Sequence, residues 1–258
     1  MKAVLPWRAP NLIGGTGGSG TRVFARIAQA LGMFIGSDLN GASDALAFRP
    51  FLYRWINEYL RYTRAWDAAD LNLSDMQKEF DQTLHVHCAS LTDPNSPWGW
   101  KQPRNLYVLP FLHCRLPRMR LLHVVRDGRD MAYSSNQKHL ANHGAALLTE
   151  HELQMPEPVQ SITLWSRINC MAATFGQSVL GDRYLVVRFE DLCEDPVAVI
   201  DRVARYFRIS AIESEISRIA EREVICPASI GRWQSMSLVP GSALVKAGLP
   251  GLTRFGYV

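Results

Sequence analysis

The 258-residue chain has no Cys-x-x-Cys spacing, no apolar run of bilayer length, no internal repeat and no low-complexity tract. Each absence removes a class of protein. Its five cysteines (Cys88, Cys114, Cys170, Cys193, Cys226) are odd in number and widely scattered. That pattern argues against a disulfide framework or a thiolate zinc site and predicts reduced, mostly buried thiols in a reducing compartment. Nothing is long enough to span a membrane. The first expected strand arrives by about residue 11, which leaves no room for a signal peptide or anchor, so a cytoplasmic location is expected. An excess of charge is missing too: 28 Lys and Arg face 24 Asp and Glu, for a net charge of +4. That suits a small polyanionic ligand and is too little to argue for nucleic acid. With 47% hydrophobic and 20% charged residues and no linker, the chain reads as one globular domain over 1–258 with a large core.

What is present is concentrated in one glycine-rich run, Gly14-Gly15-Thr16-Gly17-Gly18-Ser19-Gly20-Thr21-Arg22. It follows the apolar Asn11-Leu12-Ile13 and enters a helical pattern with Val23, Ile27, Ala30 and Leu31 on one face. A strand, a glycine turn and a helix N-terminus form an anion site, because the backbone N–H groups converge and the helix dipole favours negative charge. Three loop types compete for the run. Gly15-x-Gly17-x-x-Gly20 matches the dinucleotide fingerprint, with Asp38 roughly at the ribose-binding acid. A Walker-type loop needs Lys after its last glycine, and Thr21 stands there instead. A 5′-phosphosulfate loop has Ser-Gly-Thr at the start of a helix, and Ser19-Gly20-Thr21 fits it. The run alone leaves the first and third open.

Further along, residues 46–64 are rich in Phe, Tyr, Trp and Arg and predict a helix. Ser74 and Gln77 predict a capping box for a helix running to about Ser90. Strands are expected at Trp98 to Gln102, 120–125 and Tyr184 to Phe189. Helices are expected over 105–116, Arg129 to His139, 158–180 and from Asp195-Pro196 through Phe207, and residues 140–157 read as a mobile loop. Strands alternating with helices imply an α/β fold with a central parallel sheet flanked by helices.

A second constellation follows the strand ending at Val125: Arg126-Asp127-Gly128-Arg129-Asp130, then Ser134 and Lys138. Arg126 stands at the carboxyl end of a strand, where open α/β sheets bind ligands. On a continuing helix Ser134 and Lys138 share a face, so guanidinium, hydroxyl and ammonium converge as a phosphate monoester requires. The bland reading is a salt-bridged turn with Arg126 tied to Asp130.

Taken in order, Gly17 to Thr21, Lys101-Gln102-Pro103, Val124 to Asp130, Val187-Arg188-Phe189-Glu190-Asp191-Leu192 and Gly231-Arg232-Trp233 resemble the sulfotransferases that use 3′-phosphoadenosine 5′-phosphosulfate (PAPS). The likeness covers nearly the whole chain and is strongest to the branch with tyrosylprotein and bacterial carbohydrate or small-molecule sulfotransferases. It implies a P-loop nucleotide-kinase-like fold and transfer of a sulfuryl group from PAPS to a hydroxyl, less readily an amine, with no metal. It assigns Gly17, Gly18, Ser19, Gly20, Thr21 and Arg22 to the 5′-phosphosulfate, and Arg126, Ser134 and Lys138 to the 3′-phosphate. Phe189 falls beside the adenine, where the family often has tyrosine, and Arg232 is a second phosphate contact. Many members carry Lys or Arg where this chain has Gly18, so Arg22 and Lys101 become the cations that meet transition-state charge. The histidine base of the phenol and steroid branch is replaced by Gln102-Pro103. A carboxylate after the first helix takes that role in the related branch, which points to Asp38 with Asp44 as runner-up. His85 and His87 read as packing or surface residues. Residues 46–64 and 140–157 are the expected walls for a small-molecule or carbohydrate acceptor. Two rivals remain: a nicotinamide- or flavin-dependent oxidoreductase on the glycine fingerprint, and a PAP-binding protein without catalysis, motivated by Gly18.

Overall fold

In the computed structural model, which describes residues 8–63, 73–236 and 238–258, the sheet is built from short buried strands. They are β1 (Asn11–Gly15), β2 (Gly99–Lys101), β3 (Arg120–Val125) and β4 (Tyr184–Arg188). Their order is β2-β1-β3-β4, and every pair is parallel. β1 lies in the middle, with Ile13 opposite both Lys101 and Leu122 and Gly15 opposite Val124. The glycine loop, Lys101 and Arg126 therefore leave the sheet along one carboxyl edge.

Helices cover both faces, as parallel strands need. α1 (Thr21–Ala30), α2 (Phe48–Tyr62) and α3 (Ser74–Cys88) lie between β1 and β2. A 3₁₀ turn over Pro103–Val108 and α4 (Leu109–Arg115) precede β3. α5 (Gly128–Ala132), α6 (Lys138–Leu147), α7 (Glu150–Leu153) and α8 (Glu157–Phe175) precede β4. α9 (Phe189–Glu194), α10 (Pro196–Phe207), α11 (Glu213–Glu223) and α12 (Gly241–Arg254) complete the chain.

Alternation along the strands divides the core. Leu12 and Leu121 face α2, α3, α4 and α8, where Phe48 stacks on Trp100 with ring centroids 4.2 Å apart. Ile13, Leu122, Val124 and Val187 face α1, α10 and α11. On α1 the buried residues are Phe24, Ala25, Ile27 and Ala28, and burying a side chain such as Phe24 contributes roughly 1.5–3 kcal/mol. Gly32, with φ at +86°, stops this helix by donating its N–H to the Gln29 carbonyl. A third cluster joins α5, α8 and α12 around Trp165. A Cβ on Gly128 would lie 2.4 Å from the Trp165 ring, and one on Gly251 2.6 Å from it, so the indole is wedged between the start of α5 and α12.

Four expectations change, the first being the burial of the thiols: of the five cysteines Cys88 alone is buried, while Cys114 and Cys226 are exposed. The helix expected over Arg129 to His139 breaks after Ala132 and restarts at Lys138, so Ser134 and Lys138 are not one turn apart on a common face. The cause is Gln137, whose amide donates to the carbonyls of Met131, Ala132 and Ser134. Residues 140–157 are not a loop: α6 runs to Leu147, and α7 follows behind a reciprocal Thr149–Glu152 capping box. The box expected at Ser74 and Gln77 does not form, because Leu73 takes the cap position and its carbonyl accepts the Gln77 N–H. The last residue of the helix expected over 46–64 lies outside the described residues.

His123 on β3 is fully buried, with one ring nitrogen 2.8 Å from Asn169 Oδ1 and the other 2.7 Å from the Tyr184 hydroxyl. Burial pushes its pKa down from 6.5 to about 4, against the pull of the Asn169 hydrogen bond. The unfolded chain binds this proton near pH 6.5 and the folded chain only near pH 4, so stability is lost as pH falls through that window. The loss approaches about 1.4 kcal/mol per pH unit. Urea denaturation of wild type and His123→Gln at about pH 7 and about pH 5 should show a shallower pH dependence in the variant. Equal dependence would mean that His123 is not the group being titrated.

Candidate functional site

The loop after β1 is shaped by two glycines in the left-handed region, Gly18 at φ +92° and Gly20 at φ +91°. Gly20 caps α1 with no side-chain bond, and no acidic residue sits in the first turn, so the positive end of the helix dipole is uncompensated. A Cβ on Gly20 would lie 2.2 Å from Phe189 Cδ2, which places the Phe189 ring directly against this helix start. At Gly18 the left-handed backbone is costly for a lysine or arginine, which gives a physical reason for the missing cation. Ser19 Oγ and Thr16 Oγ1 are buried and have no hydrogen-bond partner.

One strand over, Arg126 is only 5% exposed. Its Nη2 donates to Ser229 Oγ at 3.0 Å and lies 3.5 Å from Asp130 Oδ2, while its Nε is buried without a partner. The guanidinium carbon is 5.7 Å from the centre of the Phe189 ring. Asp130 also accepts the N–H groups of Gly231 and Trp233, so it ties the 229–233 segment to the turn that carries Arg126.

At the end of β2, Lys101 is 2% exposed and its ammonium pairs with Asp44 Oδ1 and donates to the Ala42 carbonyl at 3.0 Å. Burial pushes the Lys101 pKa down, the Asp44 charge pulls it back up, and Arg22 adds a smaller downward push. Asp44 is set by its own turn. Asn40 Oδ1 accepts the N–H groups of Ala42 and Asp44, Asn40 Nδ2 donates to Asp44 Oδ2 at 2.9 Å, and Ser43 adopts φ +60°. A non-glycine residue in that region is held there by its surroundings, and such strain gathers at functional sites.

These groups open into a cleft of about 590 Å³. Of the residues expected from sequence, Gly17, Gly18, Gly20, Thr21, Arg22, Lys101, Arg126, Lys138 and Phe189 line it. Ser19 sits beneath the loop, fully buried. Ser134 does not line the cleft, and its hydroxyl accepts the Asn136 N–H at 3.2 Å. Arg232 stands behind Ser229, donating to the carbonyls of Ser229 and Tyr133. Asp38 is exposed and outside the cleft, in a turn whose carbonyl accepts the Leu46 N–H. The carboxylate that faces the cleft is Asp44, the runner-up, because the Asn40 turn aims it inward while Asp38 stays at the surface. His87 is a packing residue with its Nε2 2.9 Å from the Gly99 carbonyl.

Arg49 and Tyr53 line the cleft from the 46–64 stretch expected as an acceptor wall, whereas sequence reasoning missed Arg104, Asn136 and His139, which also line it. Arg104 had a signal: it follows Lys101-Gln102-Pro103 at a strand's carboxyl end. His139 had none, since its site depends on the break after Ala132. It is buried, 3.1 Å from the Tyr107 hydroxyl, and burial holds its pKa well below 6.5.

The family model described as the sulfotransferase family matches residues 11–213. The chain belongs to the sulfotransferase family. That family is a PAPS-dependent transferase class, and the match removes the oxidoreductase reading of the glycine fingerprint. None of the curated proteins matches the sequence. Among solved structures, sulfotransferase STF9 from Mycobacterium avium is 14% identical, with a TM-score of 0.60 over 97% of this chain and 78% of that one. The sulfotransferase domain of the Synechococcus PCC 7002 olefin synthase is 16% identical, with a TM-score of 0.58 over 100% and 98% of the two chains. Retinol dehydratase, solved in complex with retinol and PAP, is 15% identical, with a TM-score of 0.53 over 94% and 81%. At these identities the likeness fixes the fold. No helix among the described residues is long and apolar enough to cross a membrane.

Gly20→Ala should destabilise the protein by about 2–4 kcal/mol, combining left-handed strain with overpacking against Phe189. Urea denaturation measures this directly, and a loss below about 0.5 kcal/mol would show that Phe189 yields freely.

Proposed function

We propose that this sulfotransferase moves a sulfuryl group from PAPS to a hydroxyl of a carbohydrate or small-molecule acceptor, leaving PAP. The observation that carries the reading is a pair of buried, unpartnered donors at the carboxyl edge of the sheet, Ser19 Oγ in the glycine loop and Arg126 Nε after β3, with the Phe189 ring packed against Gly20 and the Arg126 guanidinium. Buried polar groups are almost always satisfied, so orphans at a glycine cradle and a bare helix N-terminus fit a ligand with anionic groups. When bound, PAPS supplies an activated sulfuryl group.

The chain's own residues divide the work. The amides of Gly17 to Thr21, with Ser19 and Arg22, bind the sulfated end. Arg126 and Lys138 bind the 3′-phosphate, and Phe189 offers an apolar face to the adenine. Ser134 and Arg232 act behind them, positioning the Asn136 and Ser229 segments through the bonds already described. Lys101 Nζ holds positive charge at the cleft floor, where low dielectric makes it effective. Asp44 takes the proton of the acceptor hydroxyl. Its two oxygens already accept from Lys101 and Asn40, and each keeps a further lone-pair direction. Asp44 supersedes Asp38 in this role because it alone of the two reaches the cleft.

A second reading, PAP binding without catalysis, starts from Gly18. The Lys101–Asp44 pair weighs against it, since burying the Lys101 ammonium is costly and the pair is placed where transfer needs a cation and a base.

Incubation with radiolabelled PAPS and a mixed acceptor extract should yield a labelled product. Asp44→Asn should lower turnover by about 10²–10⁴-fold with PAP affinity little changed. Undiminished turnover in that variant would remove Asp44 from the mechanism. Arg126→Ala should weaken PAP binding by about 10–150-fold, the loss of one charge-assisted contact. Normal affinity by titration calorimetry would refute the phosphate assignment.

A further inference from the structure

The cleft holds six cationic side chains against one carboxylate, Asp44. They fall into separate groups. Arg126 is gathered around Phe189, and Lys101 is paired with Asp44. Arg49 and Arg104 belong to neither. Both lie against the Tyr53 ring, with guanidinium carbons 5.5 Å and 4.7 Å from its centre. Among the described residues neither has a carboxylate within ion-pair distance.

Three features show that this charge is kept rather than incidental. Arg49 sits in the first turn of α2, which holds no acidic residue, and a cation there opposes the helix dipole by about 0.3–1 kcal/mol. Arg104 is oriented by a neutral partner: its Nε donates to His143 Nε2 at 3.1 Å, and His143 Nδ1 lies 2.8 Å from Asn57 Oδ1. Burial and the Arg104 charge push the His143 pKa down to about 3, so it accepts this bond as a neutral ring and leaves the guanidinium charge intact. Tyr53 is a large aromatic left 42% exposed where it lines the cleft.

We propose that Arg49 and Arg104, held against Tyr53, form a subsite for an oxyanion carried by the acceptor, such as a carboxylate or a phosphate ester, apart from the hydroxyl that is sulfated. This rests on the reading of the cleft as a PAPS-dependent sulfotransferase site and narrows its acceptor to an anionic class. Two guanidiniums present paired N–H donors in the planar geometry that oxyanions match, and the tyrosine face supports the carbon skeleton next to the anion. A neutral acceptor would leave both charges partly desolvated and unpaired, so the subsite discriminates against it.

The test is titration calorimetry with matched probes, 4-hydroxyphenylacetate against its methyl ester and phenyl phosphate against phenol. It is run on wild type, R49Q, R104Q and the double variant, each with and without saturating PAP. Wild type should bind at least one anion tenfold or more tightly than its neutral partner. Each single variant should reduce that preference and the double variant abolish it, with PAP affinity within threefold of wild type. The two pairs tell a carboxylate site from a phosphate-ester site. No preference in wild type, or a preference surviving in the double variant, overturns the proposal. So does a loss of PAP affinity in R49Q with anion binding retained, which would assign the arginines to the donor. Arg49 is exposed, so R49Q tests the idea even where R104Q perturbs folding through His143. Failure of wild type to bind PAP would sink the donor reading alone, because the nucleotide-free titration still decides the arginines.

Discussion

The constraint on which the site depends is the double pairing of β1. All five of its residues pair with β3, the first three also pair with β2 on the other edge, and all five are buried. A slip of one residue would turn Leu12 and Ile13 to the wrong faces of the sheet, so each core half opposes it. The same register fixes how far the glycine loop, Lys101 and Arg126 stand from one another. Nothing in the loops themselves sets these separations. The hydrophobic core of the sheet is in that sense the ruler of the cleft.

The strands and the glycine loop were legible because their signals are local. The strand at 120–125 is an apolar run bounded by a Pro117-Arg118 turn and Arg126-Asp127, and the structure keeps those limits. Ser19-Gly20-Thr21 needs only its neighbours to form. The failures share a different cause. α6 eluded periodicity because its buried face includes His139, His143 and Gly144 beside Leu147, residues that hydrophobic patterns pass over. The break before it depends on one glutamine amide, also tied through Gln137 Oε1 to Ser161 on α8, a contact invisible without the fold. Asp38 and Asp44 both stand in turn-like sequence after the first helix. Choosing between them required the Asn40 hydrogen bonds and the proximity of β2, which are tertiary facts.

Electrostatically, the cleft both gathers cations and withholds negative charge, six basic side chains against Asp44, although the chain carries a net charge of only +4. Buried histidines serve where carboxylates would neutralise: His143 steadies Arg104 and His139 steadies the wall beside Gly17 while both stay uncharged. Elsewhere several arginines are quenched, as Arg115 is by Asp81 and Arg167 by Glu152. At the carboxyl edge of the sheet the excess cations share one cleft, whose low-dielectric walls focus their field.

The Trp165 wedge reaches beyond the stretch that the family model matches. Its indole touches Gly251 on one side and Gly128 on the other, two residues after Arg126. A fragment trimmed at residue 213 would strip α12 from this indole and remove Ser229, Gly231 and Trp233 from Arg126 and Asp130. The smallest piece that keeps the Arg126 turn intact is thus wider than the region recognisable by descent, and the tail past it is a buttress of the cleft rather than an ornament.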